Sequence, residues 1–113
     1  MDRASAHYAS LGWQVEDVSR HQPFDLRCIR DGAELHVEVK GTTTAGAEIR
    51  LTEGEVRHAR SFPATALFVF SSIRVNREPN GADAVQGGAD LVVDPWHLSE
   101  SSLTPTHYTC RIA

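Results

Sequence analysis

The sequence predicts one α/β domain, a mixed β-sheet flanked by α-helices. Three observations carry that expectation: alternating runs on either side of an Asp31-Gly32 pair, a continuous apolar run "TALFVFSSI", and helical spacing with start and stop signals in two short stretches. At 113 residues the chain has room for one core and not for two, so a single domain over 1–113 is expected. A content of 41% hydrophobic and 23% charged residues excludes a disordered or fibrous chain. No apolar run approaches the ~18 residues of a membrane span, and the first residues lack the apolar centre of a signal peptide. A soluble, cytoplasmic protein is the expectation.

The elements follow in order. Ala4, Tyr8 and Leu11 share one helical face and Gly12 follows as a stop, which predicts a helix over 3–11. Its start almost at the first residue points to a domain of a longer parent chain with further domains. "WQVEDVS" reads as a strand, and "RHQP" as a loop in which Pro23 keeps Gln22 extended. Asp31-Gly32 then predicts a two-residue hairpin turn. Counting outward from it, Arg30 pairs with Ala33, Cys28 with Leu35 and Leu26 with Val37 on one apolar side. The other side brings Arg27 opposite His36 and Asp25 opposite Glu38, with Lys40 two residues further on. A three-residue turn would mix polar and apolar residues on both faces.

"AEIRLT" reads as a further strand, and Thr52 with Glu55 forms a capping box that opens a second helix. Val56, Ala59 and Phe62 are its expected buried side, with Arg57, His58 and Arg60 pointing elsewhere and Pro63 ending it. "TALFVFSSI" is a central strand covered on both faces. "VNREPNGADAVQGG" reads as a loop, "ADLVVDPW" as a strand stopped by Pro95, and "THYTCRI" as a last edge strand. Cys28 and Cys110 lack the close spacing of zinc or redox motifs and fall in expected strands, so both read as buried free thiols. The histidines form no metal-binding pattern and read as surface or structural groups.

The net charge of -4 divides unevenly. Residues 1–49 hold eight acids and five bases, residues 50–77 two acids and five arginines, and residues 78–113 five acids and one arginine. Only the middle third has the charge to attract a polyanion, although a solvated helix face has the same composition.

The hairpin builds the candidate site. Asp25 and Glu38, roughly 5 Å apart, would repel by roughly 3 kcal/mol at an effective dielectric near 20 if both were ionised. Protonation, a basic neighbour or a divalent metal could cancel that. Lys40 supplies part of the compensation, and a hard cation held by oxygen ligands suits the remainder. Magnesium fits best, with manganese as a substitute and the Val39 carbonyl as a further ligand. Lys40 is the single lysine beside ten arginines. A compact ammonium can orient a water or neutralise developing phosphorane charge. The competing reading is a plain surface ion pair between Glu38 and Lys40.

At this point "FDL", then "EVK" thirteen residues on, "GTT" and "LTEGEVRHA" resemble the domain at the C-terminus of the NO VEIN protein, over about residues 4–95. That family is placed in the PD-(D/E)XK, or restriction-endonuclease-like, nuclease superfamily. The resemblance implies Asp25 and Glu38 as metal ligands, Lys40 as the catalytic lysine, and magnesium-dependent endonuclease hydrolysis of phosphodiesters, in DNA ahead of RNA. Apart from the resemblance, Thr42 and Thr43, just past the lysine, are candidate hydrogen-bond donors to a phosphate, with plain loop hydroxyls as the alternative. Arg50, Arg57, Arg60 and His58 in the basic middle are candidates for nucleic-acid backbone contacts, with a solubilising helix face as the alternative; a homodimer would serve to cut both strands. Relatives carry a further glutamate on the first helix, where this chain offers only Asp2, with Glu16 following on a strand; Pro23 stands where glycine is expected. Glu55, in the family-like LTxxE stretch, is within reach of the site, but the capping box explains it without any chemistry and it reads as the cap. The alternative is a non-catalytic module on the same fold that binds nucleic acid or protein.

Overall fold

The computed structural model describes residues 2–41, 48–71, 74–77, 83–86, 89–106 and 110–112. Helix α1 (Asp2–Ser10) buries Ala4 and Tyr8, one turn apart on one face. It ends as the glycine signal requires. Gly12 has φ +90°, its N–H donates to the Ala9 carbonyl, and the Trp13 N–H donates to the Tyr8 carbonyl, a Schellman closure of the last turn.

Strands β1 (Gln14–Asp17), β2 (Leu26–Arg30) and β3 (Ala33–Gly41) form an antiparallel meander. The turn between β2 and β3 places Asp31 at φ 50° and Gly32 at φ 80°, the positive pair that a tight hairpin needs. Its register is the expected one: Arg30 with Ala33, Cys28 with Leu35, Arg27 with His36, Leu26 with Val37. The ladder stops there. The Asp25 N–H donates to the Val37 carbonyl, so Asp25 sits just outside the ladder and is not the direct cross-strand partner of Glu38.

Helix α2 (Glu53–Ser61) leads to β4 (Thr65–Ser71), which pairs with β3 in parallel. Parallel neighbours need a crossover, and α2 supplies it. Strands β5 (Arg74–Arg77) and β6 (Asp83–Gln86) form a separate antiparallel ladder, and β7 (Ala89–Val93) returns antiparallel to β4. The main sheet runs β1-β2-β3-β4-β7, a mixed five-stranded sheet with two helices. No helix among the described residues is long and apolar enough to cross a membrane.

Alternation divides the sheet into two faces. Leu26, Cys28, Leu35, Val37, Ala66 and Phe68 pack with α1 as the main core. Tyr8, Phe68, Leu26 and Val37 are fully buried there, each worth roughly 1.5–3 kcal/mol of transfer free energy. His36, Glu38 and Lys40 point to the other face, toward α2. Gly41 closes β3 under Phe70, whose ring would lie 2.5 Å from a Cβ at that position.

Four sequence expectations need correction. Residues 48–51 are not in a strand, and the described main sheet contains no strand between β3 and β4 in the sequence. The expected loop over 75–88 contains parts of β5 and β6, in register Arg74 with Gln86 through Arg77 with Asp83. Of the expected last strand, residues 107–109 lie outside the described residues, and Thr106 and Cys110–Ile112 are not in a strand; Cys110 is consequently exposed. Cys28 is buried as expected.

Candidate metal centre

Four charged side chains meet on the α2 face of β3. Asp25 arrives from the loop before β2, Glu38 and Lys40 from alternate positions of β3, and Glu55 from the first turn of α2. Ligand-capable oxygens of Asp25, Glu38 and Glu55 lie within 4.8 Å of one another. Lys40 Nζ donates to both Glu55 oxygens at 2.9 and 2.8 Å and stands 3.8 Å from Glu38 Oε1.

Each position has a local cause. Past Leu26, β2 no longer covers the edge of β3, and the Asp25 side chain takes over: its Oδ2 accepts the Val39 N–H at 2.8 Å. In a strand the N–H and C=O of one residue point to the same edge, so the Val39 carbonyl also faces the Asp25 side. Glu55 is the third residue of a complete capping box. Its N–H donates to Thr52 Oγ1 at 3.1 Å, and its Oε1 accepts the Thr52 N–H at 2.8 Å. The same carboxylate that caps α2 therefore clamps Lys40. Glu55 belongs to the cluster as well as to the cap, so the expected cap and the reach toward the site that its place in the LTxxE stretch allows are both present.

Electrostatically the acids are unequal. The Glu38 side chain is only 5% exposed. Burial first, and then the neighbouring Glu55 and Asp25 carboxylates, push its carboxyl up to about 10. Burial raises Glu55 too, but hydrogen bonds from Glu38, Lys40 and the Thr52 backbone win and hold it at about 2. The proton of the pair thus stays on Glu38, where charge would be least hydrated. Glu38 Oε1 is buried and has no hydrogen-bond partner among the described residues. An oxygen left so usually has a reason.

The donor set fits a divalent cation on that observation. Three carboxylates against one ammonium leave an excess charge of -2 when all are ionised, and all the donors are oxygens, the preference of a hard ion. Asp2 lies on α1, which packs the opposite face of the sheet, and Glu16 is paired with Arg27 at 3.6 Å, so neither joins the cluster.

The family pattern described as Protein NO VEIN, C-terminal, matches residues 1–73. The chain belongs to that family. In this NO VEIN C-terminal domain the matched span holds α1 through β4 and therefore every member of the cluster, while β5 to β7 lie beyond it. No curated protein and no solved structure matches the chain.

The other expected contacts divide. Thr42 and Thr43 lie outside the described residues. Arg50 is exposed. Arg57 is exposed but pairs with Glu53 at 2.6 Å, and Arg60 holds Glu100, with its Nε 2.9 Å from Oε2. His58 does not point away as the helical count predicted. It faces β3, its Nε2 2.9 Å from His36 Nδ1, and it stacks on Phe24 with ring centroids 4.5 Å apart. Burial lowers both histidines below the ordinary range, and His36 adds to the effect on His58. The signal was present in the spacing: His58 follows Glu55 by three residues, so the two share a helical face.

Proposed function

We propose that the domain is a metal-dependent nuclease of the PD-(D/E)XK, restriction-endonuclease-like kind, hydrolysing phosphodiester bonds with magnesium, in DNA ahead of RNA. One observation carries the reading: Asp25, Glu38 and Glu55 converge within 4.8 Å beside the Lys40 ammonium, and the buried Glu38 Oε1 among them has no partner. A mixed sheet with the acids at the start of its second strand and along its third, backed by helices, agrees with that fold assignment.

In this reading Asp25, Glu38 and Glu55, with the Val39 carbonyl, are the residues that would hold the ion. When bound, a divalent ion lowers the pKa of a coordinated water and offsets charge on the phosphate. The chain's own groups do the rest. Asp25 is fixed by the Val39 amide, and Glu38 exchanges its proton for the cation. Lys40 is steered by Glu55, and its side chain, 21% exposed, reaches the open side of the cluster where a phosphate would lie. An ammonium there orients the attacking water and balances the charge that builds as the diester is cleaved. Arg50, with Arg57 and Arg60 if they leave their acidic partners, lies on the basic middle third and is assigned to backbone contacts.

The test is cleavage of plasmid DNA in magnesium by the wild type, Lys40→Ala and Glu38→Ala. The expected result is magnesium-dependent cleavage lost in both variants; equal cleavage by all three would show that it comes from elsewhere. The competing reading, a non-catalytic nucleic-acid- or protein-binding module, draws on Lys40 being held by both Glu55 oxygens. A wild type that binds metal yet leaves plasmid, single strands and RNA intact would favour it.

A further inference from the structure

Helix α2 touches the site face of β3 at two points. At the first, Glu55 grips Lys40 Nζ. At the second, one helical turn on, His58 Nε2 meets His36 Nδ1 at 2.9 Å. Lys40 and His36 are four residues apart on one face of β3, and Glu38 lies midway between them. The two links therefore bracket the buried carboxyl, and a small cavity beside it is walled by Glu38, Glu55, His36, His58 and Trp96.

The second link is unusually fixed. The His36 ring is sandwiched between Phe24 and Phe62, with centroids 3.8 and 3.7 Å away and planes within 8° of parallel. Its Nε2 faces Glu34 Oε2 in a short contact. A carboxylate only accepts, so Nε2 carries the proton; Nδ1 is then an acceptor, and His58 must donate from Nε2. One tautomer of each ring satisfies the whole chain, which runs from Glu34 on the surface to α2. No residue of α2 is fully buried, so its height above the sheet is set by these polar links together with the stacking of His58 on Phe24 and of Phe62 on His36.

We propose that the His58–His36 hydrogen bond is the second point of a clasp that sets the position of α2 over β3 and so the distance of Glu55 from Glu38 and Asp25. His36 and His58 are positioning residues for a cation site they do not touch. The inference rests on the reading of Asp25, Glu38 and Glu55 as cation ligands. It adds a supporting layer in which Glu34 orients His36 and His36 orients the helix that delivers a ligand.

Manganese titration of the intact chain, followed by the loss of the free ion's paramagnetic resonance signal, tests it in the wild type, His58→Leu, His58→Asn and His58→Gln. Melting temperatures are taken in chelator alongside. Gln carries its amide N–H near the place of Nε2–H, whereas Asn is too short to reach His36. Both His58→Leu and His58→Asn should weaken manganese at least about tenfold while His58→Gln stays within about threefold of wild type, the scale on which outer partners of metal ligands act. A role in packing alone would move the melting temperatures and leave affinity in place. Wild-type affinity in His58→Asn overturns the clasp, and the Asn–Gln comparison decides even if His58→Leu does not fold. A wild type that binds no manganese fails the cation reading itself, and the clasp with it; loss confined to the variants' ordering fails the clasp alone.

Discussion

At Glu38, burial and two neighbouring carboxylates act in the same direction, and the residue's behaviour with pH follows from that. Its folded pKa of about 10 lies above the ordinary 4.5. A raised carboxyl keeps a proton that the unfolded chain has released, so its contribution to stability is complete below the unfolded pKa and is lost as pH rises through the folded one. The metal-free domain should therefore lose up to about 1.4 kcal/mol per pH unit from this group between those limits. Glu38→Gln, which is neutral at every pH, should flatten the curve; thermal melts in chelator from about pH 5 to about pH 9 read the difference, and parallel curves for the two proteins would refute it. Glu55 has the opposite sign. Held at about 2, it stabilises the fold above its ordinary pKa of 4.5, and that contribution disappears in strong acid. The cysteines give a check on the last segment. Exposed Cys110 should react with a thiol reagent in the native state, whereas Cys28, pushed up to about 11 by burial, should react only on unfolding.

Between the elements, the hairpin and the capping box place the acids and the lysine, and each offers a separate test. Gly32 at φ 80° accommodates what an alanine would resist, so Gly32→Ala should cost about 1–2 kcal/mol, read as a lower denaturation midpoint. Thr52→Ala removes the acceptor for the Glu55 N–H and should cost about 0.5–2 kcal/mol; Thr52→Ser should restore most of it. The hairpin was legible in the sequence because a two-residue turn fixes the register of everything beside it. A slip by one residue would have exchanged the faces of Glu38 and Val37. The position of Asp25 was legible only in outline. The end of a ladder depends on where the preceding loop leaves the sheet, which alternation does not encode. For α2 the cap was readable from Thr52 and Glu55, and Ala59 and Phe62 lie on its inward side as expected, half-buried, but the helical count put His58 on the wrong side although its spacing from Glu55 carried the signal. On a nine-residue helix the buried side is chosen by what lies across from it, here His36 between two phenylalanines. Strands β5 and β6 escaped notice for a related reason: their pairing is mutual, and the polar run Arg74–Arg77 shows little of the apolar alternation that marks a strand against a core.

For the molecule as a whole, the sheet order explains why a cation should act on global stability and not on one loop. The cluster joins the loop before β2, the central strand β3 and the crossover helix α2, so an ion held there ties together three segments that the chain brings in separately. An ion that binds only the folded state stabilises it by mass action, about 2.7 kcal/mol at a hundredfold excess over Kd, or roughly 10 °C in melting temperature for a domain of this size. Manganese or magnesium should produce that shift in the wild type and little of it in Glu38→Gln, whose amide cannot become an anionic ligand. The pH dependence should run opposite to that of the metal-free protein. Because the cation displaces the Glu38 proton, apparent affinity should rise up to about tenfold per pH unit while pH stays below that pKa, with close to one proton released per ion bound. Titration calorimetry in two buffers of different ionisation enthalpy measures the released proton directly. An ion that shifts wild type and Glu38→Gln equally, or that binds more tightly as pH falls, would show that the buried carboxyl is not a ligand and that the three acids converge for a structural reason.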